Sequence, residues 1–184
     1  IGEKAGLINL FAKGVAPFFR TLFKGVPKDH PAYGSMTMNF SANMLGLDNA
    51  ATPLGLKAMN HLQEINPKKD EASNSMIMFL TLNTAGFTII PVSIIAFRAT
   101  AGALNPTDIF IPLLIATYGG MISGLIVCTF IQKIKWDFVL TAWVLGIITF
   151  IAGLTFLFST FNKEQVELYS SILSGVIIFS IIVS

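Results

Sequence analysis

The sequence predicts an all-α integral membrane protein: an interfacial amphipathic helix, a re-entrant or broken helix hairpin, then about four transmembrane helices. Three observations carry that class. Of the 184 residues 53% are apolar and 12% are charged, with a mean hydropathy of +0.70, whereas a soluble domain carries about 25% charged residues. Charge-free runs of 26, 24, 25 and 17 residues lie at 72–97, 109–132, 138–162 and 168–184; a helix needs about 20 residues to cross a bilayer. Two helical segments are interrupted where amides cluster, at 43–49 and 83–86. The same composition excludes disorder. One cysteine excludes a disulfide-built secreted domain, and a net charge of +2 gives no footprint for nucleic acid. The lipid bilayer is the expected partner.

Residues 5–26 form the amphipathic helix. At 100° per residue, Leu7, Ile8, Phe11, Val15, Phe18, Phe19, Leu22 and Phe23 share one arc, and Lys13, Arg20 and Lys24 oppose it. The expectation is a helix lying in the membrane plane. Pro17 bends it, and Pro27, Pro31 and Gly34 turn the chain inward.

Residues 33–56 hold one charge, Asp48, among many amides and hydroxyls. Asn39 and Asn43 lie four apart, on one helical face. Gly46 ends that helix, and Asp48 or Asn49 is expected to cap the next, with Pro53 in its first turn. Helix, break, helix is a re-entrant pattern, tolerated in lipid only where it lines protein or a cavity. In 72–97, Asn83, Thr84 and Gly86 interrupt the span and Pro91 follows, so this segment reads as a kinked or broken helix. Asn105, Pro106 and Asp108 predict a helix start with Asn105 as the N-cap. The runs at 109–132 and 138–162 are spans, joined through Lys133, Lys135 and Trp136 as an interfacial anchor. The run at 168–184 reads as a third such span cut short, and the chain as an internal piece of a longer polypeptide.

Lys57, Lys68, Lys69, Lys133 and Lys135 fall on one side of these crossings, Arg98 and Lys163 on the other. The positive-inside rule places the five in the cytoplasm, which makes the hairpin re-entrant and the protein a multi-pass one of the bacterial inner membrane. Intramembrane polar groups are costly and often functional. Asn39, Asn43, Asp48, Asn49, Thr52, Asn83 and Thr84 are therefore the candidate ligand-binding residues, set where two broken helices meet. Asn43 and Asn83 should approach one another, because each sits beside a break whose orphaned backbone needs partners. The competing reading makes the same amides interhelical glue. Gly120 and Gly124 form a small-residue contact motif, and Ser171 and Gly175 repeat the spacing. His30 and His61 are too few for a metal site. No nucleophile elbow, Walker loop or HExxH occurs, so neither an enzyme nor a cofactor is expected.

Several of these residues resemble a known family. The run Pro27-Lys28-Asp29-His30-Pro31-Ala32, the longer run from Asn43-Met44-Leu45-Gly46-Leu47-Asp48-Asn49 through Ala50-Ala51-Thr52-Pro53-Leu54-Gly55-Leu56-Lys57-Ala58-Met59, then Leu82-Asn83-Thr84, Ile90-Pro91 and Ile115-Ala116-Thr117 are similar to spore maturation protein A, of the nucleoside-recognition or Gate group. The resemblance covers 1–131. It implies a Gate-like domain there, and 132–184 as additional transmembrane helices that begin a second, spore maturation protein B-like half. The family pattern has glycine where Asp48 stands and serine where Ala85 stands; Asp48 sets a negative charge at the break, against an anionic ligand. Gate domains of concentrative nucleoside transporters and ferrous iron transporter B imply a place in a transport path. The spore maturation name implies a part in spore core dehydration. The expectation is a transporter or channel-like subunit for a small polar solute. The alternative is a non-transporting scaffold or accessory subunit of a larger membrane complex. Its partners would be the rest of its own chain, a B-like half, further copies or other membrane proteins.

Overall fold

Proline and glycine divide the chain into helices whose lengths decide what each one does. The computed structural model describes residues 7–89 and 91–162, with 164, 165, 168, 169, 171, 172 and 175 beyond them. The described residues hold seven helices and no strand: α1 (Leu7–Leu22), α2 (Ala32–Met44), α3 (Asp48–Glu64), α4 (Asn74–Thr84), α5 (Val92–Thr100), α6 (Phe110–Ile131) and α7 (Phe138–Ser159). Only α6 and α7 are long and apolar enough to cross a membrane as single helices. Of the four expected spans, the run at 168–184 lies almost wholly outside the described residues. The run at 72–97 is two short helices, 11 and 9 residues long.

Helices α2 and α3 form a hairpin that enters and leaves at one end of the molecule. Ser35 near the start of α2 meets His61 near the end of α3, with Oγ and Nδ1 3.1 Å apart. The same end holds the α4 N-terminus, whose first turn is capped by Ser73 accepting from the Met76 N–H. Gln132 in the α6–α7 turn joins it there, its Nε2 donating to the Asn74 carbonyl at 2.9 Å. At the opposite end, Arg98 closes α5 against the turn before α6. Its guanidinium donates to the carbonyls of Asn105 and Pro106, both at 3.2 Å, and to Asp108 Oδ1 at 2.6 Å.

That arginine explains one correction. The helix expected to start at Asn105 begins at Phe110, after a turn through 106–109. The Asn-Pro-x-Asp pattern is a valid local start signal, but its carbonyls and carboxylate are taken by a side chain from the preceding helix. A second correction concerns α3. Its cap position is Leu47, without a side-chain hydrogen bond, and Asp48 and Asn49 are the first two helical residues. Pro53 stands sixth, one or two residues further into the helix than a cap at Asp48 or Asn49 would place it.

The apolar arc of α1 is covered by protein over its described side chains; those of Leu7, Ile8 and Phe11 lie outside them. Val15, Phe18, Phe19, Leu22 and Phe23 are each at most 4% exposed, while Lys13, Arg20 and Lys24 stay exposed. Phe18 stacks on Trp143 of α7 at 4.9 Å, and Phe19 meets Phe40 of α2 at 5.3 Å. The helical arc was legible; its partner is the hairpin and α7, where acyl chains were expected. From Phe40 the aromatic contacts continue to Phe87, Tyr118 and Phe150, at 5.4, 4.7 and 5.9 Å. One ladder of rings thus runs from α1 through the hairpin and the α4–α5 break into α6 and α7. Such pairs add about 0.5–1.5 kcal/mol each beyond their buried area. Helix α4 packs on α6 through the small-residue motif: a Cβ on Gly124 would come within 3.0 Å of the Thr81 methyl.

Candidate functional site

The two helix breaks are built alike. Each ends a helix with asparagine, two residues, then glycine: Asn43-x-x-Gly46 and Asn83-x-x-Gly86. Both glycines have φ of 65°, the left-handed conformation that a Cβ disfavours. Gly46 N–H returns to the Asn43 carbonyl and Gly86 N–H to the Asn83 carbonyl, both at 3.0 Å. Each asparagine thereby sits in the last turn of its helix with its side chain free to project sideways. The forty-residue repeat of this pattern is a sequence signal that periodicity alone does not reveal.

The breaks also touch. Asn43 Nδ2 donates to Asn83 Oδ1 at 2.8 Å, and the Ile89 N–H donates to the Met44 carbonyl at 2.8 Å. The two amides meet as the backbone accounting required, and the second break runs from Gly86 to Pro91. From this pair a relay extends both ways. Asn83 Nδ2 donates to the Phe79 carbonyl one turn back at 2.8 Å. Asn43 Nδ2 also faces Asn39 Oδ1 at 3.5 Å, and Asn39 Nδ2 donates to the Ala51 carbonyl of α3 at 2.8 Å. Asn39 is 2% exposed. Gly55 makes room for it: a Cβ there would lie 3.0 Å from Asn39 Nδ2.

Beside the relay opens a cleft of about 310 Å³ between α2, α3 and α4, lined by Asn39, Asn43, Ala51, Thr52, Gly55, Leu56, Met59, Phe79, Leu80 and Asn83. Four of the seven candidate residues, Asn39, Asn43, Thr52 and Asn83, therefore share one cavity. Asn49 and Thr84 are exposed and do not line it. Asp48 is placed at the start of α3 by its backbone alone. Gly55, Leu56, Met59, Phe79 and Leu80 were not anticipated. They are apolar or backbone-only contributions, and only Gly55, four residues past Ala51, leaves a trace in the sequence.

The chemistry of the cleft follows from donor and acceptor counting. An amide carries two donors and an acceptor oxygen. Asn43 has both donors engaged, and nothing among the described residues donates to its Oδ1. Asn39 and Asn83 each have one N–H of Nδ2 committed to a carbonyl, which leaves one each. Among the described side chains none that lines the cavity is charged. The arrangement suits a neutral molecule with both donors and acceptors, flanked by the apolar faces of Phe79 and Met59. Among the described residues no three of His, Cys, Asp or Glu come together.

Comparison with known proteins gives two findings. Residues 1–101 match the Gate family, described as nucleoside recognition. Over 125 residues the chain is 46% identical to spore maturation protein A of Bacillus subtilis (strain 168), a match covering 68% of this chain and 62% of that relative. The chain thus spans less than two thirds of the relative's length. No solved structure matches.

Proposed function

Because the chain belongs to the Gate nucleoside-recognition family, we propose that it forms part of a transport or channel-like path for a small, neutral polar solute, of nucleoside size and polarity. The protein would be a multi-pass component of the bacterial inner membrane. In this reading α4 and α5 together make a broken span, and 168–184 makes a fourth. Residues 1–131 are the Gate-like unit, and 132–184 begin a second half. Lys57, Lys68, Lys69, Lys133 and Lys135 lie on the cytoplasmic side, and impermeant labelling of a cysteine at position 68 in intact cells, with Cys128 removed, would contradict that.

The observation that carries the reading is the Asn39–Asn43–Asn83 relay, opening on a cleft whose described lining is polar but without charge, where two helix breaks meet. Broken helices at membrane depth are tolerated where they line a cavity, and transporters place binding sites at such points. Spare amide groups facing the cleft provide recognition, and the paired breaks provide a backbone that rearranges without breaking a continuous helix.

The scaffold reading draws on a different feature of the same relay: the amides hydrogen-bond chiefly to one another and to backbone, as packing glue does. Asn83→Leu separates the two. The full-length protein, purified and reconstituted in vesicles, is assayed for binding and flux of labelled uridine. A transport site gives a variant that inserts and assembles normally but loses at least tenfold in uridine binding. Glue gives aggregation and poor assembly, with any surviving protein binding as the wild type does. Normal assembly and normal binding would defeat both.

A further inference from the structure

A second cavity, of about 340 Å³, lies at the end of the molecule where α1 finishes, α4 starts and α6 turns into α7. Lys24, Gln132, Lys133, Lys135, Asn74 and Ser75 bring its polar groups together. Three lysines from two separate segments line one hollow. Asp137 opposes only one of them: its Oδ2 lies 3.4 Å from Lys24 Nζ. The Asp137 carboxyl is held below its ordinary range first by the Leu140 N–H that it accepts and further by Lys24, so it stays ionised. Neither Lys133 nor Lys135 has an ion pair among the described residues.

The neighbouring lysines of this end are spent otherwise. Lys68 pairs with Glu71 at 3.0 Å, and Lys69 Nζ caps α3 by donating to the carbonyls of Gln63 and Glu64 at 2.6 and 3.1 Å. The backbone of Lys133 is also unusual for a lysine. It occupies the left-handed position that closes α6, at φ 52°, with its N–H on the Phe130 carbonyl and the Ile134 N–H on the Thr129 carbonyl. Glycine is the relaxed residue there, yet a lysine stands in its place. The cavity also sits at the ends of the two apolar helices, beside the exposed Trp136, where an interfacial aromatic belongs.

We propose that this cavity binds a phosphate-bearing anion at the membrane surface, held by Lys133 and Lys135 with Lys24 at its side. Asn74 and Ser75, the first two residues of α4, also line the cavity, so the positive end of that helix lies beside it. The phosphate belongs to an anionic lipid headgroup or to a soluble phosphate. The site is independent of the amide cleft, and its test does not rely on transport.

The test uses full-length protein in neutral detergent, with dioleoyl phosphatidylglycerol, dioleoyl phosphatidylcholine and inorganic phosphate as probes and native mass spectrometry as the readout. The wild type should retain phosphatidylglycerol in preference to phosphatidylcholine. The K133Q/K135Q variant should weaken phosphatidylglycerol retention on the order of twentyfold and leave phosphatidylcholine unchanged. Lys133→Gly guards against misfolding, since it suits the backbone while removing the charge, and should lose a part of the same preference. K68Q/K69Q, at the same end but outside the cavity, should bind as the wild type does. If millimolar inorganic phosphate displaces the lipid and binds with the same lysine dependence, the anion is soluble phosphate and the site stands. Equal losses in K133Q/K135Q and K68Q/K69Q, or a wild type that neither prefers the anionic lipid nor binds inorganic phosphate through Lys133 and Lys135, would overturn it.

Discussion

The break between α2 and α3 closes on itself; the break between α4 and α5 does not. After Gly46 the Leu47 N–H reaches back to the Ala42 carbonyl at 2.9 Å, and the chain re-enters a helix at Asp48. Two bonds of this kind fill two of the four carbonyls that a helix end leaves open. After Gly86 the Phe87 N–H makes no matching bond to Leu82, and seven residues separate α4 from α5. The second break borrows its repair: the Ile89 N–H uses the Met44 carbonyl, and the Asn83 amide pairs with Asn43. Identical end signals thus yield one rigid tip and one dependent loop. An orphaned backbone group costs free energy wherever water is excluded, so the second break depends on staying docked against the first.

The sharpest way to break this comparison is to damage the rigid member. Gly55→Val puts a branched side chain where even one carbon would lie 3.0 Å from Asn39 Nδ2. It forces the amide off the Ala51 carbonyl and overpacks the hairpin, with a combined cost of about 3 kcal/mol or more. Denaturant titration of the purified protein should show it as the largest single loss among the substitutions considered. A loss below about 1 kcal/mol would mean that the hairpin does not depend on the Asn39 contact.

The link between the breaks is tested by a double-mutant cycle on Asn43→Leu and Asn83→Leu. Each single change leaves a polar group of the partner without its 2.8 Å contact, at a cost of about 1–3 kcal/mol. The double variant should cost less than the sum of the two, with a coupling of about 0.5–3 kcal/mol. Additive losses would show that the amides act separately.

How far all this was legible depends on range. The long apolar helices α6 and α7 were plain because charge-free runs need no partner to be recognised. The Asn43–Asn83 contact was legible because two breaks at membrane depth leave a debt that nearby amides can settle. The α6 start was misread because Arg98 acts across a turn, outside any local pattern. The partner of the α1 arc was misread because a wheel shows that a face is apolar and never what covers it. Asn49 and Thr84 were grouped with the site by nearness to the breaks, while helical rotation turns both away from the cleft.

Smaller effects sharpen the contrast further. Gly46→Ala and Gly86→Ala both place a Cβ on a left-handed residue, at about 1–2 kcal/mol each; around Gly86 nothing lies within 4 Å of that carbon, so its cost is conformational alone. The local penalties should match within error. The consequences should not, because Gly46→Ala disturbs the chain beside Met44 on which the second break leans, whereas nothing in the first break leans on Gly86.

Amide hydrogen exchange reads that asymmetry at its smallest scale. In the wild type the Leu47 N–H should be protected through opening of the hairpin tip, and the Ile89 N–H only as long as the two breaks stay docked. Local opening exposes a borrowed bond before a self-contained one, since only the borrowed bond is lost when two elements separate without unfolding. Asn83→Leu removes the side-chain contact that helps hold the breaks together, so Ile89 should exchange several-fold faster while Leu47 keeps its wild-type rate. Gly46→Ala should speed both, and Gly86→Ala should speed Ile89 alone. A variant in which Leu47 responds to Asn83→Leu as strongly as Ile89 does would make the two breaks one cooperative unit. The movable element would then be the whole hairpin with α4, rather than the α4–α5 loop.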